Sequence, residues 1–297
     1  MNWKIKNAAF WILSWIPAGR FIHSVAQRFV TRRYFPQLTP DLLAAYQRHV
    51  VNFRLLPAGS AALEFGVGQN MLTPLLLSAA GASVVYAYDI ERIATIQQIN
   101  AVIAQLRALM PGHWPLLERI EDLAPLYRIQ YRAPGDARAT MLPAGSVDFI
   151  CSTSVLEHVP AADIREILEE CVRIASANAL LSFIVDYHDH YATGDQQISR
   201  FNFYRYSAKR WRLFNPPMQY QNRLRHSDYC KLLAAFEPIG VECIIPREIA
   251  VDVPLAPEFV RYTGDDLLAL NGFFLLRPPK LRPAPVSGGV FLNDTGT

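Results

Sequence analysis

The chain has 297 residues, of which 51% are hydrophobic and 19% charged, with 29 Lys+Arg against 26 Asp+Glu and a net charge of +3. That length suits one large domain with an appendage, and the apolar content supports a sizeable core. So small a charge surplus excludes an argument for nucleic-acid binding from charge alone. The four cysteines, Cys151, Cys171, Cys230 and Cys243, form no CxxC pair. Their spacing fits neither a zinc site nor a disulfide framework, so they read as free thiols of a reducing, cytoplasmic compartment.

Residues 1–58 read as a helical, basic segment. Its start, MNWKIKNAAFWILSWIPAG, places lysines ahead of an apolar run. Ser14 and Pro17 interrupt that run, no A-x-A site follows, and about a dozen residues are too few to span a bilayer. The expectation is a helix packed on the domain as a lid. The alternative is membrane-surface contact through Trp3, Phe10, Trp11, Trp15 and Ile16, flanked by Lys4, Lys6 and Arg20. An amphipathic stretch, PDLLAAYQRHVVNF, lies near the end of the segment.

Residues 59–277 read as one domain. AALEF predicts a strand, followed by a glycine loop and a helix over MLTPLLLSAA that Gly81 ends. ASVVYAYD is a second strand, and ERIATIQQINAVIAQLRAL has apolar residues at helical spacing. YRIQYRA and SVDFICS are further strands, AADIREILEECVRIA a helix, and ALLSFIVDY a fifth strand. This alternation implies βαβ units and a parallel sheet, an α/β fold. An aromatic, polar insertion occupies 188–226. HSDYCKLLAAF resumes a helix with Ser227 as N-cap, and VECIIPRE and NGFFLLRP are the last strands. The Pro/Gly-rich tail, 278–297, reads as extended or loose.

Three features point to a nucleotide-type site. LEFGVGQN follows the first strand, where ligands of open α/β sheets bind. Gly66 and Gly68 let backbone approach a ligand, and a helix starting near Asn70 favours an anionic group. Asp89, followed by Ile90, ends the second strand, where a carboxylate can grip both ribose hydroxyls. Asp136 precedes the fourth strand, where its carboxylate could accept from an adenine amino group and the Ala137 N–H donate to the ring. Glu64, just ahead of the loop, would repel a pyrophosphate and attract an ammonium.

Taken together, LEFGVGQN, VVYAYDI, GDA and VDFICSTSVLEHV resemble the successive motifs of class I S-adenosylmethionine (SAM)-dependent methyltransferases. The resemblance covers roughly residues 60–190 in motifs and extends to about 277 in element order. It implies a Rossmann-like, seven-stranded, mostly parallel sheet with helices on both faces and an antiparallel last strand. It implies SAM as cofactor, with Glu64, Gly66 and Gly68 around its methionine part. Asn70 stands in the same loop where many members have glycine. Asp89 and Ile90 are implied at the ribose, Asp136 and Ala137 at the adenine, and Ser152 and Thr153, on to Val155, along the sulfonium side.

Methyl transfer to a hydroxyl needs a general base near the ends of strands four and five. Glu157 and His158 follow strand four; DYHDHY supplies Asp186, His188, Asp189 and His190 after strand five. The expectation is His188 or His190 as base, oriented by Asp186 or Asp189, with His158 nearby. LEHV also resembles a pair that helps hold a divalent ion in some ubiquinone-pathway and small-RNA O-methyltransferases. There another glutamate stands three residues earlier, where this chain has Ser154; His188 and His190 could supply the missing ligands, but a strand end projects them alternately, so no metal is expected. The insertion, with its aromatics and Arg200, Arg205, Arg212, Arg223 and Arg225, reads as a cover for the acceptor site. Its text, DYHDHY…FNFYRYS…W…YQNRLRHSDY, is similar to a subgroup of bacterial methyltransferase-domain proteins and carries over no substrate. The expected function is a cytoplasmic SAM-dependent methyltransferase, O-directed, acting on a small molecule or glycan precursor. The alternative is a non-catalytic SAM-fold scaffold, associated with a membrane surface through the N-terminal helix; nucleic acid is not an expected partner.

Overall fold

The computed structural model describes residues 2–17, 19, 22, 37–247, 249–262 and 264–279. Arg20 and the tail from residue 280 lie outside the described residues. Seven strands form one sheet in the order β3-β2-β1-β4-β5-β7-β6. They are β1 (Ala61–Phe65), β2 (Val84–Tyr88), β3 (Ile129–Arg132), β4 (Val147–Thr153), β5 (Ala175–Asp186), β6 (Glu237–Ile244) and β7 (Asn271–Arg277). β1 to β5 pair in parallel, with Ala61 opposite Val84 and Ile150 opposite Leu181. β7 runs antiparallel to both β5 and β6. The central strands are near-continuous apolar runs because helices cover both faces, so no solvent face needs polar alternation.

The helices are α1 (Trp3–Trp15), α2 (Pro40–Phe53), α3 (Leu72–Ala79), α4 (Ile96–Leu109), α5 (Leu123–Tyr127), α6 (Ala161–Ile174), α7 (Tyr191–Gly194), α8 (Ala208–Trp211), α9 (His226–Leu232) and α10 (Gly264–Leu268). None of the described helices is long and apolar enough to cross a membrane. Period-two alternation in β4 divides the core. Phe149 and Cys151 face a layer containing Phe53, Leu75, Ile99 and Ile103, while Ile150 faces Ile167, Leu168, Phe183 and Tyr229.

Two helix starts differ from the sequence expectation. α4 begins at Ile96 rather than Glu91, because the Thr95 side chain accepts the Gln98 N–H and caps it. α9 begins at His226, with Asp228 accepting the Arg225 N–H. Ser227 is therefore inside the first turn and not the N-cap; its hydroxyl donates to Asp266 instead.

The insertion has an aromatic core of its own. Phe201, Phe203, Tyr204 and Trp211 are buried with Tyr191, Phe259 and Leu270, and Trp3 of α1 enters the same cluster. Tyr191 donates to Asn7 Oδ1 at 2.9 Å, and Asn7 donates to the Leu213 carbonyl at 3.1 Å. Packing on the insertion is thus the observed arrangement of α1. These buried rings are spent on packing and are not free to stack on an acceptor. Arg225 is likewise structural: wholly buried, it donates to the carbonyls of Tyr187, Asp266 and Ala269.

Candidate active site

Strand order reverses between β1 and β4, and the carboxyl ends of β1, β2 and β4 open there on a cleft of about 570 Å³. An open α/β sheet binds its ligands at such a switch point, and the volume suits a small molecule. Gly66, Asp89, Ile90, Asp136, Ala137 and His158 all line this cleft, as the sequence predicts. Ser154 and Val155 line it as well, but Glu64, Gly68, Asn70, Ser152 and Thr153 do not. Ser152 is wholly buried, and the Thr153 hydroxyl is bonded to His49 at 2.9 Å. β4 runs through Thr153, and only the turn that follows it reaches the opening.

Gly66 is required twice over. Its φ of +73° is left-handed, and a Cβ there would stand 2.3 Å from Val155 Cγ2. The loop therefore lies directly against the turn after β4. Asp89 accepts from the Gly68 N–H at 2.9 Å and the Glu91 N–H at 3.0 Å, which ties the glycine loop to the end of β2. Because α4 starts at Ile96, Asp89 is not its cap. The Asn70 Oδ1 accepts from the Leu72 N–H at 3.1 Å, and this bond supports the start of α3. Asp136 lines the cleft with both of its oxygens gripped by Arg138, which holds its pKa below the ordinary value.

Glu64 is 3% exposed, and its Oε2 has no hydrogen-bond partner among the described residues. Burial, and to a smaller extent the Asp89 charge, push its pKa up to about 8. A buried carboxyl with an idle oxygen beside a glycine loop fits the ammonium of a zwitterionic ligand, and Asp89 at the end of β2 fits a ribose.

A second group lies after β4 and β5. The His188 Nδ1–H donates to Asp186, a carboxylate that can only accept. That assigns Nε2 as the acceptor of the Thr193 hydroxyl, 3.0 Å away. Burial opposes ionisation of Asp186, but the hydrogen bonds from His188 and the neighbouring His190 ring, 3.5 Å away, outweigh it and hold the pKa below the carboxylate range. Asp186, His188, Thr193, Gln196, Arg200 and Asn271 line a second cleft of about 570 Å³. The rings of His158, His190 and His188 form a row with centroids 4.7 and 5.1 Å apart, leading from the first cleft to the second. Asp189, the other acid expected to orient a histidine, is wholly buried. Its oxygens accept from the Tyr191 N–H and from Asn202, so it braces the insertion rather than a histidine.

Some contributors were not visible in sequence. α2 places Tyr46 near both Glu64 and Glu157; burial, then those charges, raise its pKa to about 12. His49, wholly buried, bridges Ser182 of β5 at 2.8 Å and Thr153 of β4. Burial lowers its pKa to about 3, so it is neutral. Asn222 donates to the carbonyls of Leu156 and Val159, and Gln221 donates to the His188 carbonyl. These neighbours in the insertion fix both histidine-bearing turns. Only the apolar-faced stretch around Tyr46 and His49 offered a signal, through polar groups at i and i+3.

Residues 63–183 match the family model described as a methyltransferase domain. No curated protein is significantly similar to the chain. Among solved structures, a SAM-dependent methyltransferase from Methanosarcina mazei is 15% identical, with 82% of this chain and 99% of that chain covered and a TM-score of 0.47. The N-methyltransferase NodS from Bradyrhizobium japonicum, in complex with S-adenosyl-L-homocysteine, is 14% identical, with coverage of 82% and 90% and a TM-score of 0.44. The methyltransferase-domain match, the reversed strand order and the cleft beside the glycine loop all fall on the same part of the chain, residues 63–183.

Proposed function

We propose that the chain is a class I SAM-dependent methyltransferase and that it methylates a hydroxyl oxygen of a polar small molecule or glycan precursor seated in the second cleft. One observation carries this reading: the Asp186–His188 pair presents Nε2 to a hydroxyl, that of Thr193, in a cleft lined by polar side chains. Bound SAM supplies an activated methyl group on a sulfonium. Glu64, Gly66 and Asp89 would hold it, with Asp136 and Ala137 at the adenine end. His188 takes the acceptor's hydroxyl proton on Nε2, and the Asp186 carboxylate compensates the charge the ring acquires. Gln221 and Asn222 keep the two histidine-bearing turns in register. The four unpaired cysteines support a reducing, cytoplasmic place of action.

The test is transfer of labelled methyl groups from SAM to a panel of polyhydroxylated acceptors, with the product bond identified by mass spectrometry and NMR. His188→Gln is expected to lower kcat by roughly 10²–10⁴-fold with SAM affinity unchanged. Methylation at nitrogen or carbon, or undiminished turnover in the variant, contradicts the reading.

Peripheral contact with a lipid surface is a second reading. It is favoured by the outer side of α1, where Ile5 and Ile12 are 63% and Trp15 80% exposed beside Lys4. Sedimentation with anionic liposomes should pellet the full chain more than one lacking residues 1–20; equal pelleting refutes it.

A further inference from the structure

The Glu157 carboxylate lacks the partner its position demands. It is 2% exposed, and neither of its oxygens accepts a hydrogen bond among the described residues. Buried polar groups are almost always paired, so an idle buried carboxylate points to something that pairs with it. His190 Nε2 is buried without a hydrogen bond too, and it lies 4.0 Å from Glu157 Oε1. His158 completes the group, and one ligand atom from each of the three residues lies within 4.8 Å of the others.

The surroundings prepare these side chains. His158 Nδ1 lies 2.8 Å from the Tyr220 carbonyl. A carbonyl only accepts, so Nδ1 carries the proton and Nε2 keeps its lone pair. An imidazole that donates one N–H to a backbone carbonyl and offers the other nitrogen is the arrangement that orients a metal ligand. The Asn222 N–H donates to the Glu157 carbonyl at 2.9 Å, which fixes the turn that bears both residues. The His190 N–H donates to Gln221 at 3.3 Å. His188 is excluded from the set, because both of its nitrogens are engaged by Asp186 and Thr193.

We propose that Glu157, His158 and His190 hold a divalent first-row transition-metal ion at the junction of the two clefts. Two imidazoles and one carboxylate suit zinc, cobalt, iron or manganese better than magnesium or calcium, which prefer all-oxygen shells. Three ligands bonded at about 2.1 Å in a tetrahedral shell lie about 3.4 Å apart, so the group closes by roughly an ångström on binding. Asp186, with Oδ2 3.5 Å from His190 Nε2, adds negative charge and a candidate fourth ligand. The sequence predicts no metal because Ser154 replaces a glutamate and a strand end would project His188 and His190 alternately; β5 ends at Asp186, and the loop after it brings His190 to Glu157. A cation here would polarise an acceptor oxygen and ease loss of its proton to His188. That role rests on the methyl-transfer reading, whereas occupancy of the site does not.

The test measures binding directly. Full-length protein is stripped with a chelator and dialysed against Zn²⁺, Co²⁺ or Mg²⁺, and metal per chain is counted by mass spectrometry. Wild type should take up one Zn²⁺ or Co²⁺, with visible d–d absorption in the cobalt form, and prefer both to Mg²⁺. Glu157→Gln and His190→Gln should each lose affinity by at least about tenfold, while exposed His113→Asn keeps it. Retained SAM binding certifies that a variant has folded, and His190→Gln serves where Glu157→Gln does not. No stoichiometric uptake by wild type, a preference for Mg²⁺, or wild-type uptake by both folded variants overturns the proposal. Failure of acceptor methylation alone bears on the function reading and not on this site.

Discussion

Glu64 couples the cofactor site to stability. Its folded pKa of about 8 stands above its ordinary 4.5. The folded protein therefore keeps this proton at pH values where the unfolded chain has lost it. The protonated group costs nothing below about pH 4.5, and stability falls as pH rises toward about 8, by up to about 1.4 kcal/mol per unit. Glu64→Gln removes that slope. Thermal melts of the SAM-free proteins between about pH 5 and 8 should show the variant gaining on wild type as pH rises; parallel curves would contradict the assignment. The same variant should bind SAM more weakly, since the carboxyl can ionise against the bound ammonium and the amide cannot. Glu64, Gly66 and Asp89 were legible because each sits at a strand end that the local sequence defines. His49, Tyr46 and Asn222 were not, because their partners lie on distant elements that only the assembled sheet brings near. The Arg138 grip on Asp136 was missed although it spans two residues, since neither spacing nor periodicity shows how a turn aims its side chains.

Among the elements, strands were read well because parallel central strands are unbroken apolar runs. Helix starts were read less well because several residues could cap them. At α4, Asp89 and Thr95 are both good caps; Asp89 is occupied by the Gly68 and Glu91 amides, and Thr95 takes the role. The insertion was the hardest to read. Its rings alternate with charges, a pattern equally suited to a ligand cover or a small aromatic core, and the buried set around Trp3 and Trp211 selects the core. Trp3→Ala should release α1, giving faster proteolysis of the N-terminal segment with SAM affinity unchanged; equal protection would argue against docking through Trp3. Arg225→Met leaves carbonyls of Tyr187, Asp266 and Ala269 without their donor in a buried site. It should destabilise the protein by about 3 kcal/mol or more in urea unfolding. A loss under about 1 kcal/mol would mean that water replaces the guanidinium.

At the scale of the molecule, the reversal of strand order beside β1 gathers the functional groups at one edge of the sheet. The glycine loop, the end of β2 and the turn after β4 surround one cleft. The loop after β5 and the insertion surround the other, and α2 packs on β4 and β5, where His49 bonds to Thr153 and Ser182. Sheet order and the first cleft could be anticipated from the alternation of strands and helices. The second cleft could not, because it depends on how the insertion folds back through Gln221 and Asn222. The central claim is that the first cleft holds SAM, with Asp89 gripping its ribose. Isothermal titration of SAM into wild type and Asp89→Ala tests it most directly. One SAM should bind per wild-type chain, with NAD giving no heat, and the variant should bind SAM more weakly by roughly 1–3 kcal/mol. Absence of SAM binding by wild type, or equal affinity in the variant, would contradict it.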